Sequence, residues 1–330
     1  MKAFMLHLLA KVFGLVVLVR NSLFDAGWFT STRLPGRVIS IGNIAVGGTG
    51  KSPVVIMVAA MIQKTGGFPV VLTRGYRSGL GRNEWQVIRN GQVVAGTARA
   101  NIVADEAMMQ SRKLPNVPIV VGRNRKMAAG RYLQSNSQER VTHWILDDGF
   151  QHRQIARDTD IVLLDARSPA GRLLPAGRFR EPASSLKRAS MIIITKAETS
   201  AQKRAAIEFA RSFNPSIPIA EVGFRPQKPE CVAGVPTGVP LKWALVAGIA
   251  NPQDFVAFAK MHGVSPSQTL FVPDHYPFLP RDLNELTKFC DGILTTEKDF
   301  SRAETLFRQL TCPVYVLPLT ADWEGSAPSF

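Results

Sequence analysis

Val38-Ile39-Ser40-Ile41 runs directly into Gly42-Asn43-Ile44-Ala45-Val46-Gly47-Gly48-Thr49-Gly50-Lys51-Ser52-Pro53, a passage with the form of a strand, a phosphate-cradling loop and a helix start. Gly47, Gly48, Thr49 and Gly50 would bring backbone N–H groups close to phosphate oxygens. Lys51 would reach the outer phosphates, and the Ser52 hydroxyl is set for Mg²⁺. The positive end of the following helix adds to the attraction, and Pro53 suits its first turn because the missing donor would be unpaired there. One position departs from the usual pattern: Ala45 stands where a glycine is customary, with Gly47 and Gly48 as partial compensation. Nucleoside triphosphate binding is the expectation, against the alternative of a glycine-rich turn with no ligand.

Outward from this loop, apolar runs alternate with helical segments. Strands are expected at Phe68–Leu72, Trp85–Ile88, Val117–Val121, Ile161–Leu164 and Met191–Thr195, with helices over 101–113 and Arg123–Leu133. That alternation predicts an α/β fold, a P-loop NTPase-like, doubly wound and mainly parallel sheet whose ligands sit beyond the strands' carboxyl ends. Residues 226–240 are rich in Pro and Gly and read as a linker. The expected organisation is an N-terminal membrane-associated helix (1–22), a P-loop core domain (23–225), the linker and a smaller C-terminal α/β domain (241–330).

Forty Lys and Arg against 25 acidic residues give a net charge of +15, which favours anionic partners. No zinc-finger spacing, basic block or RNA-binding aromatic signature accompanies it, so no nucleic-acid partner is expected. The three cysteines, Cys231, Cys290 and Cys312, are far apart and fit reduced thiols in a cytosolic compartment. Ala3 to Val19 is almost wholly apolar, broken by His7 and Lys11. As a helix it would rise roughly 25 Å, short of a hydrocarbon core of ~30 Å, so interfacial anchoring on an anionic membrane is expected over spanning. A cleaved signal peptide is one rival, disfavoured because Lys11 interrupts the apolar region and no clear small-x-small cleavage site follows, and a helix packed on the protein's own core is the other.

Several residues could carry chemistry. His143-Trp144-Ile145-Leu146-Asp147-Asp148 is an apolar run ending in two carboxylates, and a phosphate loop needs such an acidic partner for Mg²⁺. His152 follows four residues later and either touches the same site or caps a loop. Asp105, beside Glu106 in a helix's first turn, is a candidate base for an acceptor hydroxyl or a residue that merely meets the helix dipole. His275, next to Asp274, could assist that carboxylate. Gly171 to Pro182, with Arg172, Arg178, Arg180 and Glu181, reads as a loop near phosphates.

Taken in order, Gly42–Pro53, Arg74-Gly75-Tyr76, Asp105-Glu106, Asp147-Asp148-Gly149-Phe150-Gln151-His152, Leu174-Pro175-Ala176-Gly177, Arg180-Glu181-Pro182 and Asp274-His275 resemble the tetraacyldisaccharide 4′-kinase family of lipid A biosynthesis. The resemblance covers nearly the whole chain. It implies ATP and Mg²⁺ as cofactors, and a membrane glycolipid, a tetraacylated disaccharide 1-phosphate, phosphorylated at its 4′-hydroxyl. It also implies the cytoplasmic face of the inner membrane as the place of work, and a monomer is expected. Carried over, Lys51 would hold the β and γ phosphates, Ser52 with Asp147 and Asp148 would serve Mg²⁺, and Asp105 assisted by His275 would be the base. Arg74, Tyr76, Glu106, His152, Arg180 and Glu181 would face the substrate. The chain departs from the family at Ala104 and Ala107, which flank Asp105-Glu106 where Gly and Pro are usual, and at Ser52 in place of Thr. The rival expectation is a membrane-associated P-loop ATPase or nucleotide switch without lipid kinase activity.

Overall fold

The computed structural model describes residues 2–76, 78–97, 104–236, 238–274 and 276–328. The chain divides into two compact units, one comprising 1–223 with 321–330 and the other 224–320.

The first unit opens with helix α1 (Lys2–Asp25), then β1 (Arg37–Asn43), α2 (Lys51–Lys64), β2 (Pro69–Thr73), β3 (Trp85–Arg89), β4 (Gln92–Gly96) and α3 (Asp105–Lys113). It continues through β5 (Ile119–Gly122), α4 (Arg125–Ser135), β6 (His143–Asp147), β7 (Thr159–Asp165), a 3-10 segment at Ala183–Arg188, β8 (Met191–Thr195), α5 (Ser200–Phe213) and β9 (Ile219–Pro226). Strands β9, β8, β7, β1, β6, β2 and β5 lie side by side in that order, and every adjacent pair among them is parallel. An antiparallel edge, β3 and β4, follows β5. The doubly wound, mainly parallel sheet is therefore present. β1 lies between β6 and β7, and every residue of it after Arg37 is buried. A central parallel strand is covered on both faces, which is why Val38 to Ile41 reads as a continuous apolar run with Ser40 tucked inside it. Val54, Val55, Val58 and Ile62 are the inward stripe of α2.

Local signals account for elements that alternation alone left unassigned. At α5, Thr199 accepts from the Gln202 amide while the Gln202 side chain accepts from the Thr199 amide, a capping box that starts the helix. The helix expected over 101–113 is described from Asp105 onward, and 101–103 lie outside the described residues.

The second unit carries β10 (Glu230–Ala233), β11 (Trp243–Ala247), α6 (Pro252–Met261), β12 (Pro266–Phe271), α7 (Pro280–Thr287), β13 (Gly292–Thr296), α8 (Glu297–Arg302), α9 (Glu304–Arg308) and β14 (Val314–Leu317). Its sheet order is β10-β14-β13-β11-β12. Two boundaries differ from the sequence-based expectation. The stretch 226–240 is not wholly linker, because Glu230–Ala233 forms an antiparallel pair with β14. The last ten residues do not stay in the second unit: β15 (Leu319–Trp323) returns beside β9, and Trp323 Nε1 donates to Met61 Sδ of α2 at 3.1 Å. Neither pairing leaves a periodic mark, since β10 is short and half exposed and β15 alternates irregularly.

α1 is longer than the expected apolar stretch. At 24 residues it rises about 36 Å, so length by itself does not exclude crossing a bilayer. The window Phe4–Asp25 has a mean hydropathy of 1.6 and is long and apolar enough to span by those criteria. Phe4, Leu8, Val12, Leu15 and Val19 are exposed. An apolar N-terminal helix compatible with membrane association is thus a feature of the fold.

Candidate active site

The carboxyl ends of β1, β6 and β2 converge in the first unit, and the phosphate loop, the Asp147-Asp148 pair and Arg74 emerge there side by side. The phosphate loop is held from below. Gly50 caps α2 with φ +84°, and Gly47 has φ +115°, conformations that side chains with a Cβ rarely adopt. Asn43 Nδ2 donates to Thr49 Oγ1 at 2.9 Å in a buried contact, and the Thr195 hydroxyl donates to the Thr49 carbonyl at 3.3 Å. Ala45 makes a β-bridge with Phe179, while the Val46 amide donates to the Arg178 carbonyl at 2.7 Å and the Arg180 amide to the Ile44 carbonyl at 2.6 Å. The loop 171–182 therefore lies along the phosphate loop as a short extra strand. This restraint holds a loop in which Ala45 replaces the customary glycine.

Asp148 is the electrostatic hub. Its Oδ1 stands 3.6 Å from Lys51 Nζ, and Arg180 Nη1 donates to its Oδ2 at 2.7 Å. Burial pushes this carboxyl up, but Lys51 and Arg180, with Arg125 behind them, outweigh burial and hold it below the usual carboxylate range. Its backbone is left-handed at φ +50°, which Asp tolerates better than most residues and which is a common device at functional sites. Asp147 is different. It is 4% exposed, and burial together with the nearby Glu106 charge raises its pKa from 3.8 to about 6, against the Gln110 amide that donates to its Oδ2 at 2.8 Å. Two adjacent carboxylates thus have pKa values driven apart by their surroundings.

The influence of Glu106 on Asp147 brings the first turn of α3 to the same place, and Asp105 begins that turn. Arg74 lowers the proton affinity of both Arg125 and His152, so it lies on this side as well, while Tyr76 is 62% exposed beside it. Burial, with Arg125, Arg157, Arg20 and Arg74 around it, pulls His152 down to about 3. The imidazole is neutral at physiological pH, and its buried Nε2 has no hydrogen-bond partner. Glu181 is 1% exposed and takes a bidentate pair from Arg188 at 2.8 Å to each oxygen. It stands behind Arg180, and its neighbours draw it below the usual carboxylate range despite burial. His275 lies outside the described residues. Its neighbour Asp274, in the second unit, pairs with Lys298 at 3.2 Å.

Sequence reasoning missed Asn43, Gln110, Arg125, Gln151 and Arg188. Gln151 Nε2 donates to the Asn43 carbonyl at 2.9 Å, and Arg125 Nη1 to the Asp148 carbonyl at 3.2 Å. Gln151 lay inside a quoted motif, whereas Arg188 had only an unremarkable position in a 3-10 segment. Gln110, Arg125 and Gln151 act on residues 37, 23 and 108 positions away, which leaves no local signature, while Asn43 and Arg188 reach Thr49 and Glu181 across irregular loops that no periodicity marks.

The tetraacyldisaccharide-1-P 4′-kinase (LpxK) family profile matches residues 2–330. The chain belongs to that family. A tetraacyldisaccharide 4′-kinase of Chlorobium luteolum is 36% identical over 309 residues, covering 89% of this chain and 85% of the relative. Its counterpart in Halothermothrix orenii is 31% identical over 353 residues, covering 98% and 90%. A crystal structure of LpxK from Aquifex aeolicus in complex with ATP superposes with a TM-score of 0.74 at 25% identity, covering 98% of this chain and 96% of that one.

Asp147 supplies a stability test at this site. A carboxyl whose pKa rises on folding is destabilising once ionised. The penalty is absent below about pH 4, grows between 4 and 6 and is complete above 6, where a shift from 3.8 to about 6 amounts to roughly 3 kcal/mol. Asp147→Asn keeps the shape without the charge, and Gln110, whose Oε1 has no partner, can turn to accept from the new amide. The variant is expected to melt several degrees above the parent at pH 7.5, with the gap closing by pH 4 and activity lowered. A gap that widens toward low pH would contradict the assignment.

Proposed function

We propose that this chain transfers the γ-phosphoryl group of ATP to the 4′-hydroxyl of a tetraacylated disaccharide 1-phosphate, working at the cytoplasmic face of the inner membrane as a monomer. The single observation that carries the proposal is the convergence of Lys51, Asp148 and Arg180 within one charge network at the mouth of a phosphate loop, with the start of α3 alongside. Phosphoryl transfer asks a protein mainly for positioning and charge, and this arrangement supplies both.

In this reading Gly47, Gly48, Thr49 and Gly50 present backbone donors to the phosphates, and Lys51 neutralises the β and γ groups. Ser52, Asp147 and Asp148 offer the hard oxygen donors that Mg²⁺ selects, and Asp148 Oδ1 is a buried oxygen with no hydrogen bond of its own. Mg²⁺ held there would offset charge on the phosphate oxygens. Asp105 would orient the acceptor hydroxyl and take its proton. Arg180 would keep Asp148 aimed at the phosphate loop, and Arg74, Tyr76, Glu106 and His152 would border the acceptor; Glu181, expected from the sequence to face the substrate, is instead buried behind Arg180 with its oxygens taken by Arg188 and Asn21. The exposed apolar face of α1, on a chain of net charge +15, suits an anionic lipid surface where such an acceptor resides.

The direct test is incubation of the full chain with γ-labelled ATP, Mg²⁺ and a detergent-dispersed tetraacyl disaccharide 1-phosphate. Label is expected on the glycolipid, as a monoester at the 4′ position. ATP consumption with no labelled lipid would instead favour a nucleotide-driven switch, and stimulation by DNA or RNA a nucleic-acid-dependent ATPase.

A further inference from the structure

Beyond its apolar exterior, α1 has a second face. Ala10, Gly14, Val17 and Asn21 recur at intervals of three and four residues and form its buried stripe. Gly14 permits close approach, since a Cβ there would stand 2.7 Å from Leu173 Cδ1, and Arg172 of the same loop meets His7 at 2.8 Å. The stripe ends on an amide. Asn21 Nδ2 donates at 2.9 Å to Oε2 of Glu181, in a contact buried on both sides. The Asn21 carbonyl accepts from Arg153 Nη1 at 3.0 Å, and Arg20 donates to the Gln151 carbonyl.

One turn of α1 is thus tied to both loops that floor the site, 148–153 and 178–182. Arg180 carries the chain from this anchor to Asp148 through its side chain and to the phosphate loop through its amide. An apolar residue would complete the stripe more cheaply than a buried amide whose Oδ1 has no partner. What Asn21 supplies in return is a charge-assisted hydrogen bond to a carboxylate.

We propose that Asn21 is a positioning residue that registers Glu181, and through it Arg180, against the phosphate loop, so that seating α1 in a lipid interface orders the phosphoryl-transfer site. The inference rests on the kinase reading above, and its first readout therefore does not depend on turnover. Hydrogen exchange is followed in 148–153 and 178–188 of the full chain, with and without vesicles containing anionic phosphatidylglycerol. In the parent protein, vesicles are expected to slow exchange in both segments. Asn21→Ala is expected to speed exchange in 178–188 at least tenfold while vesicle sedimentation stays within twofold of the parent. In the transfer assay its kcat should fall about tenfold with KM for ATP within twofold.

Asn21→Asp sets a second carboxylate against Glu181 and should cost more, with part of the loss recovered when Glu181→Gln is combined with it. Exchange in 178–188 that is unchanged by Asn21→Ala, or that rises evenly along the chain, would overturn the positioning role. Parent exchange that ignores vesicles would overturn the link to lipid. Should Asn21→Ala fail to fold, the double variant carrying Asn21→Asp with Glu181→Gln decides, and no recovery there overturns the proposal. Absence of any transfer by the parent protein counts against the kinase reading and leaves the exchange result to judge Asn21.

Discussion

Lys51→Ala is expected to lower phosphoryl transfer by about 10²–10³-fold, the usual consequence of deleting one preorganised charge from a site that works by electrostatic stabilisation. The ammonium is mostly buried, sits 3.6 Å from Asp148 Oδ1 and is carried on the first residue of α2, so its position is set by a helix rather than a mobile loop. Its removal has two consequences. In the proposed reading the phosphates lose a cation, and Asp148 loses one of the partners that offset its burial. KM for ATP should therefore rise along with the fall in kcat. Lys51→Arg is not expected to restore the rate, because a planar fork does not occupy the space of a compact ammonium. Measurement of initial rates over ATP concentration decides the matter, and a variant within threefold of the parent in kcat/KM would remove Lys51 from the site.

Asp105→Asn should behave differently. A positioned base contributes about 10²–10⁴-fold, and it acts on the acceptor hydroxyl rather than on the nucleotide. The expected pattern is a fall of that size in kcat with KM for ATP within twofold. Asp105 opens α3, where the helix dipole favours the ionised carboxylate a base requires. Glu106 and Gln110 of the same helix act on Asp147, which ties the start of α3 to the Asp147-Asp148 pair. The opposite pattern, an intact kcat with weakened ATP binding, would make Asp105 a nucleotide ligand and leave the base unassigned.

Much of this architecture is legible in the chain because its signals are local. The apolar run before Gly42 announces a strand buried on both faces, Gly50 and Pro53 mark the loop's exit into a helix, and Asp147-Asp148 end an apolar run as a metal-binding pair would. The parallel core around β1 follows from alternation. The return of β15 to β9 does not, since it pairs segments nearly a hundred residues apart with short, half-exposed strands. The same limit applies within the site. Asn21 and Glu181 are 160 residues apart, and Arg180 and Asp148 are 32 apart. Nothing in the spacing of either pair forecasts contact.

The amino-acid sequence alone determined the class of fold, the phosphate loop, the acidic pair and the apolar helix, since each is written in the periodicity and residue types of a short stretch. Tertiary structure decided which of two neighbouring aspartates is held below the usual carboxylate range, which arginine holds it and how the apolar N-terminal helix reaches the loops 148–153 and 178–182. The physical reason is that pKa and hydrogen bonding depend on what chain closure brings within a few ångströms. That closure is driven by burial summed over the whole core, not by any one segment.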